Sequence, residues 1–595
     1  MDVMKGGAML NDFFFSTSPN RCDEWVQAVR RRTDDPDLRI CSGTWGAFVS
    51  VHGAGTQYIV RENEDYLFML LGHPLCTVSK TTFAFGDIEE QAILAALEAH
   101  FTEGQAIDWT RYFNGIFAII AIRKKSNDFL LATDTLSFVQ IYYTSRTVAG
   151  EHEFLCGTHL DILAEVSDRR VVDKLSVAEC ILYLKPTFPY TLLEYVRSVP
   201  PASTFTQFHG QPTRSEYYWM PWEPERIDFS LEDAGGWVRQ VVEDSLDTVC
   251  DEYRSIAILL SGGGDSRIFA GMLADKKNVE AVTFSESCSR ECMLAQKIAS
   301  RSNLRHVCCF RNEDYYFNLI DPCTQMCGFD NFYIHAHMLH LADKYDFNRN
   351  DVVLSGLWAD LLLKGAQVPV KNVLPGCGVQ KIDKHGYELL TCDAVKKGYQ
   401  EEAHARRQRH NQMLKKIRPN SYKDFEEVFP YSMSDTLSCV SVNRRLFNAY
   451  DPFADFRIID ISSKVPVEWK INWKLQRAAF QDIFEKFKDI PHSSGSQCSK
   501  GSLQNAPRCL VLATKKKAQR YLSRIMHCTR NYDAWPKTAA MYKQAMARNM
   551  YSNVVGAGIF RDILEEVSYP KQLFKKATPK HMLFLLQIGR RVQAL

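Results

Sequence analysis

The chain has 595 residues, 46% apolar and 24% charged, with a formal net charge of +2; this is ordinary globular composition with room for roughly two to four domains, and it argues neither for nor against a charged partner. No segment reaches the ~18 apolar residues that a membrane span needs, and the N-terminal stretch with Asp2 and Lys5 does not read as a signal peptide. The 18 cysteines show no secreted-scaffold spacing, so free thiols in a reducing, cytoplasmic setting are expected.

In residues 1–215 short apolar strands alternate with glycine and asparagine turns, among them YFNGIFAIIAI at 112–122, FLLATD at 129–134, QIYYT at 140–144 and FLCGTHLDIL at 154–163. One amphipathic helix, DIEEQAILAALEAHF at 87–101, has Asp87 placed to cap it. The pattern predicts a sandwich of sheets and helices. The aromatic and proline-containing YYWMPWEPER at 217–226 reads as a linker. From 228 to 500 strands and helices alternate as in a doubly wound parallel sheet, with a nucleotide expected at the C-terminal strand edge. Residues 501–595 read as a helical, basic extension, and PHSSGSQCSKGS at 491–502 as a flexible loop.

Arg30-Arg31-Arg32, the cluster at 406–409 and Lys515-Lys516-Lys517 read as solvated helix faces, so no nucleic-acid partner is expected. Cys288 with Cys292, Cys323 with Cys327, and the adjacent Cys308 and Cys309 could bind zinc if folded together. No second C-x₂-C completes a known pattern, and buried apolar cysteines are the expectation. Of His335, His337 and His340, only the last two share a helical face, so surface or core histidines are expected rather than a metal site.

Chemistry concentrates at Ser261-Gly262-Gly263-Gly264-Asp265-Ser266, directly after the apolar run Ile256-Ala257-Ile258-Leu259-Leu260 and before a helix-compatible segment. Three glycines remove the Cβ atoms that would block an approaching anion and allow positive φ, so that successive N–H groups can converge on a phosphate. The following helix adds its unpaired N–H groups and positive dipole end. Asp265 beside a phosphate calls for a bridging cation such as Mg²⁺. The alternative is a glycine turn whose Asp and Ser only cap a helix. The spacing is not that of a kinase-type phosphate loop.

S-G-G-x-D-S after an apolar strand resembles the pyrophosphate loop of the ATP pyrophosphatase superfamily, and within it the chain is similar to the asparagine synthetase family. VEAVTF at 279–284 reads as the second strand, Glu291 falls in a helix, and LRHVCC at 304–309 reads as a third strand carrying His306. DVVLSGLWAD at 351–360 resembles the family's strand followed by S-G-E-G-A-D-E, with Asp360 in its second metal-binding position. YDPFAD at 450–455 is similar to R-V-P-F-L-D, and Lys474-Leu475-Gln476-Arg477 to a K-x-x-R whose lysine meets the reacting phosphate. The N-terminal strands and YVRSVPPAST at 195–204 resemble the family's glutamine-hydrolysing domain.

The resemblance implies an α/β chain. Residues 1–215 would form a glutaminase-like αββα sandwich of the N-terminal-nucleophile type, and 228–500 a doubly wound ATP pyrophosphatase domain, followed by the extension at 501–595. It implies ATP and Mg²⁺, with Leu260, Ser261, Gly262, Gly263, Gly264, Asp265, Ser266, Phe284, Ser355 and Gly356 around the nucleotide and Asp265 and Asp360 on the metal. Lys474, Asp265 and Tyr450 are the candidate catalytic residues. The reaction implied is amide synthesis through an acyl-adenylate, releasing AMP and pyrophosphate. Expected partners are a small-molecule or peptide carboxylate and an amine, with no membrane, in a chain that could pair as a homodimer.

Departures bear on that chemistry. The family's glutamine-dependent members carry a cysteine directly after the initiator methionine; here the residue is Asp2, and Cys22 and Cys41 lie inside the chain, so ammonia or a substrate amine is expected rather than glutamine. Leu357 and Leu361 replace two acids of the second signature, and Asn448 stands where a glutamate is expected near the amine site. Tyr450, in the arginine position, could serve as base if its pKa were lowered. The alternatives are a peptide or natural-product cyclase of the β-lactam synthetase or lasso type, a degenerate nucleotide binder, and a tRNA-modifying thiolase or lysidine-type ligase, which would leave the N-terminal sandwich unexplained.

Overall fold

Phe13, Phe14 and Phe15 sit on one strand and are all fully buried, because both faces of that strand are covered. Phe13 and Phe15 pack with Phe48, Met69, Ile120 and Phe129 between two sheets, whereas Phe14 points the other way and stacks on Trp25 with ring centroids 5.0 Å apart. The computed structural model describes residues 10–592 apart from 35, 54, 56–57, 78–80, 85–86, 149–150, 209–212, 286–287, 312–313, 376, 384–394, 526–537, 552–557 and 566–578. Asp2, Lys5 and the capping side chain of Asp87 fall outside the described residues.

Two N-terminal sheets each have six antiparallel strands. The first runs Arg197–Ser198, Tyr142–Val148, Glu151–Gly157, Asp12–Ser16, Gly46–His52, Asp37–Gly43. The second runs Arg214–Tyr217, Ser203–Gln207, Asp128–Thr133, Phe117–Arg123, Tyr66–Gly72, Tyr58–Glu62. Helices Cys22–Arg30, Leu160–Val166 and Lys174–Tyr183 cover the outer face of the first sheet. Helix Asp87–Glu103 covers the second through Ile93, Leu97 and Phe101. The layering is the αββα order that the family resemblance implies.

Further along, a five-stranded parallel sheet has the order Arg305–Phe310, Val279–Ser285, Ile256–Leu259, Val352–Leu354, Ala449–Tyr450. Its central strand is apolar throughout because Ile256 and Ile258 enter one core and Ala257 another, so no polar alternation survives. Helix Leu231–Glu252, which lies along this unit, begins with a full capping box between Ser230 and Asp233.

Three segments behave differently from a sequence reading. Residues 217–226 are pinned rather than loose: Tyr218 donates to Thr133 O at 2.7 Å, Trp219 to Asp460 Oδ1 at 3.2 Å, and Pro221 O accepts from Arg418 at 2.8 Å. The helix Pro579–Val592 is part of the core, burying Leu583, Phe584, Leu586 and Ile588 and accepting the Tyr333 N–H on Gln587 at 3.1 Å. The expected flexible loop at 491–502 is instead fastened to the glycine turn. Finally, the buried Asp12 carboxylate takes hydrogen bonds from Arg444 at 2.9 Å and Arg445 at 2.7 Å, which joins the first strand of the chain to the helix Leu437–Leu446.

Candidate active site

Leu260 ends the central strand, donating its N–H to Val282 O at 2.8 Å while its carbonyl accepts from Thr283 Oγ1 at 2.7 Å. The glycine turn follows, and helix Asp265–Met272 starts on its last step. Ser266 Oγ accepts the Ser261 N–H at 3.0 Å, and Ser261 Oγ accepts the Gly263 N–H at 3.1 Å, so the two serines close the turn from within. None of Gly262, Gly263 and Gly264 has positive φ, which corrects the expectation of left-handed backbone here. These glycines supply space: at position 264 an added Cβ would meet nothing nearer than 3.6 Å.

The turn is held from behind. Arg267, wholly buried, donates to Gly262 O at 3.3 Å, to Ile490 O at 2.7 Å and to Pro491 O at 3.1 Å. Ser493 N–H reaches Gly262 O at 3.1 Å, and Arg290 binds the carbonyl of Ser493. Polar composition suggested flexibility at 491–502, whereas its carbonyls satisfy two arginines. His492, stacked edge-on to Trp473 at 4.8 Å, is kept neutral by burial, which lowers its pKa to about 3.

Ser355 and Gly356 lie at the end of the neighbouring strand. Asp451 is the residue that shapes this second turn: its Oδ2 accepts from Ser355 Oγ at 3.0 Å and from the Leu357 N–H at 2.7 Å. Burial pushes the Asp451 carboxyl up to about 8. A Cβ at position 356 would lie 3.1 Å from Asp265 Cβ, so a glycine lets the two turns meet. Leu357 and Leu361, the two departures from acid, pack into the adjoining apolar core.

The turns bring Asp265 and Asp360 to one point, and a lysine stands there. Lys364, four residues after Asp360 on helix Ala359–Lys364, donates to Asp265 Oδ2 at 2.8 Å and also contacts Asp360 Oδ1. Gln476 donates to the other Asp265 oxygen. Lys364 is 7% exposed and Asp360 65%, so the point is closed on the lysine side and open towards solvent at Asp360. Burial opposes the Lys364 charge, but Asp265 and Asp360 outweigh it and hold the ammonium protonated. Two opposed carboxylates that already share one cation are hard oxygen donors of the kind Mg²⁺ takes, so the donor set fits that ion.

Lys474 begins helix Lys474–Lys486 and is exposed; Trp473, directly before it, lies under Lys364, 5.0 Å from ring centroid to ammonium. A cavity of about 380 Å³ opens beside Trp473 and Arg477, with Asn472, Ser494, Ser496 and Lys500 on one part of its wall and Leu512 and Ala513 on another. Phe284, next to last in the strand Val279–Ser285, stacks on His337 at 6.2 Å.

Two expectations need correction. Tyr450 is buried, and burial drives its phenol far above the ordinary range, the opposite of the lowering that a base requires. Asn448 sits at the other end of the strand from Ser355, donating to Asp351 O at 2.8 Å and 3.0 Å from His73 Nδ1, so it does not line the turns. Lys364 was missed, although its i, i+4 spacing from Asp360 was a usable signal.

The asparagine synthase family model matches residues 237–495, which spans both turns, Asp265, Asp360, Lys364 and Lys474. No curated protein matches the chain. Among solved structures, a glutamine phosphoribosylpyrophosphate amidotransferase from B. subtilis, complexed with ADP and GMP, is 10% identical over 42% of this chain, with a TM-score of 0.22. An NH3-dependent NAD synthetase from Campylobacter jejuni subsp. jejuni, in complex with the nitrate ion, is 19% identical over 23% of this chain, with a TM-score of 0.16. The matched part covers 60% of the length of each.

Proposed function

We propose that the chain joins a carboxylate to an amine at the expense of ATP, releasing AMP and pyrophosphate, a reading supported by the match of residues 237–495 to the asparagine synthase family model. The observation that carries this reading is the convergence of Asp265, Asp360 and Lys364 at the open glycine turn. In the proposed reaction a substrate carboxylate oxygen attacks the α-phosphorus and pyrophosphate leaves. The amine then attacks the acyl carbon, AMP leaves, and the amine loses a proton.

Most of the catalysis assigned to this chain is positioning and charge neutralisation. N–H groups of the glycine turn and the start of helix Asp265–Met272 would bind phosphate oxygens. Asp265 and Asp360 would hold Mg²⁺, which when bound neutralises phosphate charge. Lys364 would turn its ammonium from the carboxylates towards the departing pyrophosphate, with Lys474 beside it. The cavity beside Trp473 carries two cationic side chains, Arg477 and Lys500, on a wall that also has apolar residues, which suits a small or peptidic acid.

Ammonia or a substrate amine is the proposed nitrogen donor. Burial raises the Cys22 thiol, and burial with the Glu62 carboxylate pushes Cys41 up to about 11, so neither is an activated nucleophile. The Lys364 ammonium at the cation point, with Leu357 and Leu361 in the core, favours a second reading as a nucleotide binder without turnover.

The deciding experiment is pyrophosphate release from Mg-ATP with aspartate, glutamate or short peptide acids, each with ammonium and then with glutamine. Release with an acid plus ammonium but not glutamine supports the ligase, and a peptide acid that needs no added amine points to cyclisation. ATP binding with no release for any acid supports the second reading.

A further inference from the structure

His335, His337 and Cys439 each place one ligand atom within 4.8 Å of the others'. His335 closes the short helix Tyr333–His335, His337 follows two residues later, and Cys439 lies in the first turn of helix Leu437–Leu446, 104 positions beyond His335. The two segments are already tied, since Cys439 Sγ donates to His335 O at 3.1 Å and Ser438 Oγ to Phe332 O at 2.7 Å.

The surroundings prepare the imidazoles for ligation. Among the described residues the buried Nε2 of His335 has no hydrogen-bond partner, and it lies 3.7 Å from Asp435 Oδ2. His337 Nδ1 is 3.1 Å from Tyr316 OH, which itself accepts from Arg311 at 2.5 Å. Asp435, salt-bridged to Lys580, supplies a carboxylate beside the ring of the kind that orients metal-bound histidine.

We propose that His335, His337 and Cys439 form a transition-metal site, with Zn²⁺ the favoured occupant, separate from the carboxylate pair at Asp265 and Asp360. Two imidazoles and a thiolate suit Zn²⁺ and select against Mg²⁺. As the metal–sulfur bond forms, the Cys439 proton passes to solvent, and there is no redox change. The ion cross-links 333–337 to the helix Leu437–Leu446, and through the His337 ring it backs Phe284 at the edge of the proposed nucleotide pocket.

The test uses the full chain, stripped with EDTA, desalted and titrated with Co²⁺ and separately with Zn²⁺. One tightly bound ion per chain is expected, with a thiolate-to-cobalt charge-transfer band and a rise in Tm on adding Zn²⁺. Cys439→Ser should lose the band. His337→Gln should weaken Zn²⁺ binding by at least about tenfold, with far-UV circular dichroism unchanged. Cys292→Ser should keep the band, because Cys292 belongs to a different thiol group with Cys288 and Cys308. Absence of a bound ion in the parent chain, or a band that survives Cys439→Ser, overturns the site. If Cys439→Ser does not fold, the Zn²⁺-induced Tm shift in His337→Gln decides: loss supports the proposal and retention refutes it.

Discussion

The Lys364 ammonium stands 2.8 Å from Asp265 Oδ2 and also contacts Asp360, so the chain's own cation occupies the point between the two carboxylates. Lys364→Met should leave Asp265 buried without its partner. Expected is a stability loss of about 3 kcal/mol in EDTA, since removing one member of a buried pair strands the other. Millimolar Mg²⁺ should then raise the Tm of the variant more than that of the parent chain. Equal Mg²⁺ responses would show that the ion does not take this point.

Asp265→Asn keeps the volume of the side chain but removes the charge on which the proposed cation site depends. Pyrophosphate release should fall by about 10²–10³-fold, the range for losing one electrostatic group at a reacting centre, while the melting profile stays cooperative. Lys474→Ala should slow release without weakening ATP binding. Full activity in both variants would remove the site from this position.

Asp12 links the two halves of the molecule. Burial alone would raise its carboxyl, but Arg445 and Arg444 overcome that and hold it well below the ordinary carboxylate range. A carboxyl depressed on folding contributes stability above its unfolded pKa of about 4 and loses it as pH falls further. Urea unfolding at a series of pH values should therefore show stability declining below about pH 4. Asp12→Ala should lose about 3–5 kcal/mol at pH 7, because two buried guanidinium groups are left unbalanced, and its acid-side slope should be shallower.

Gly356→Ala would place a methyl 3.1 Å from Asp265 Cβ, which obliges one of the two turns to give. Because the contact is between turns rather than inside the core, the expected effect is on activity. A fall in pyrophosphate release with little change in Tm would bear this out; an unchanged rate would mean that the turns have slack.

The layered fold was legible because its signals are local. Short apolar runs between glycine and asparagine turns marked the N-terminal strands, the unbroken run at 256–260 marked a strand covered on both faces, and the glycines marked the turn after it. What was hidden depended on register or long-range contact. Asn448 directly precedes the short strand Ala449–Tyr450, and only the pairing of Leu354 with Tyr450 shows that Tyr450 rather than Asn448 lies towards the turns. The histidine pair was visible at 335–337, but its cysteine comes from a helix that no spacing rule connects to it. The 491–502 loop looked free because polar, glycine-containing sequence says nothing of carbonyls claimed by a distant arginine.

That arginine has a consequence for association kinetics. Arg267 holds the carbonyls of Gly262, Ile490 and Pro491 with one planar group, so the backbone of the glycine turn is fastened by the fold itself; on the proposed function, a nucleotide would not have to order it. Under that reading an incoming polyphosphate would meet a turn already held in place, and encounter would require no search among loop conformations. The rate of nucleotide capture should then follow diffusion and ionic strength, and little of the binding entropy should come from the protein.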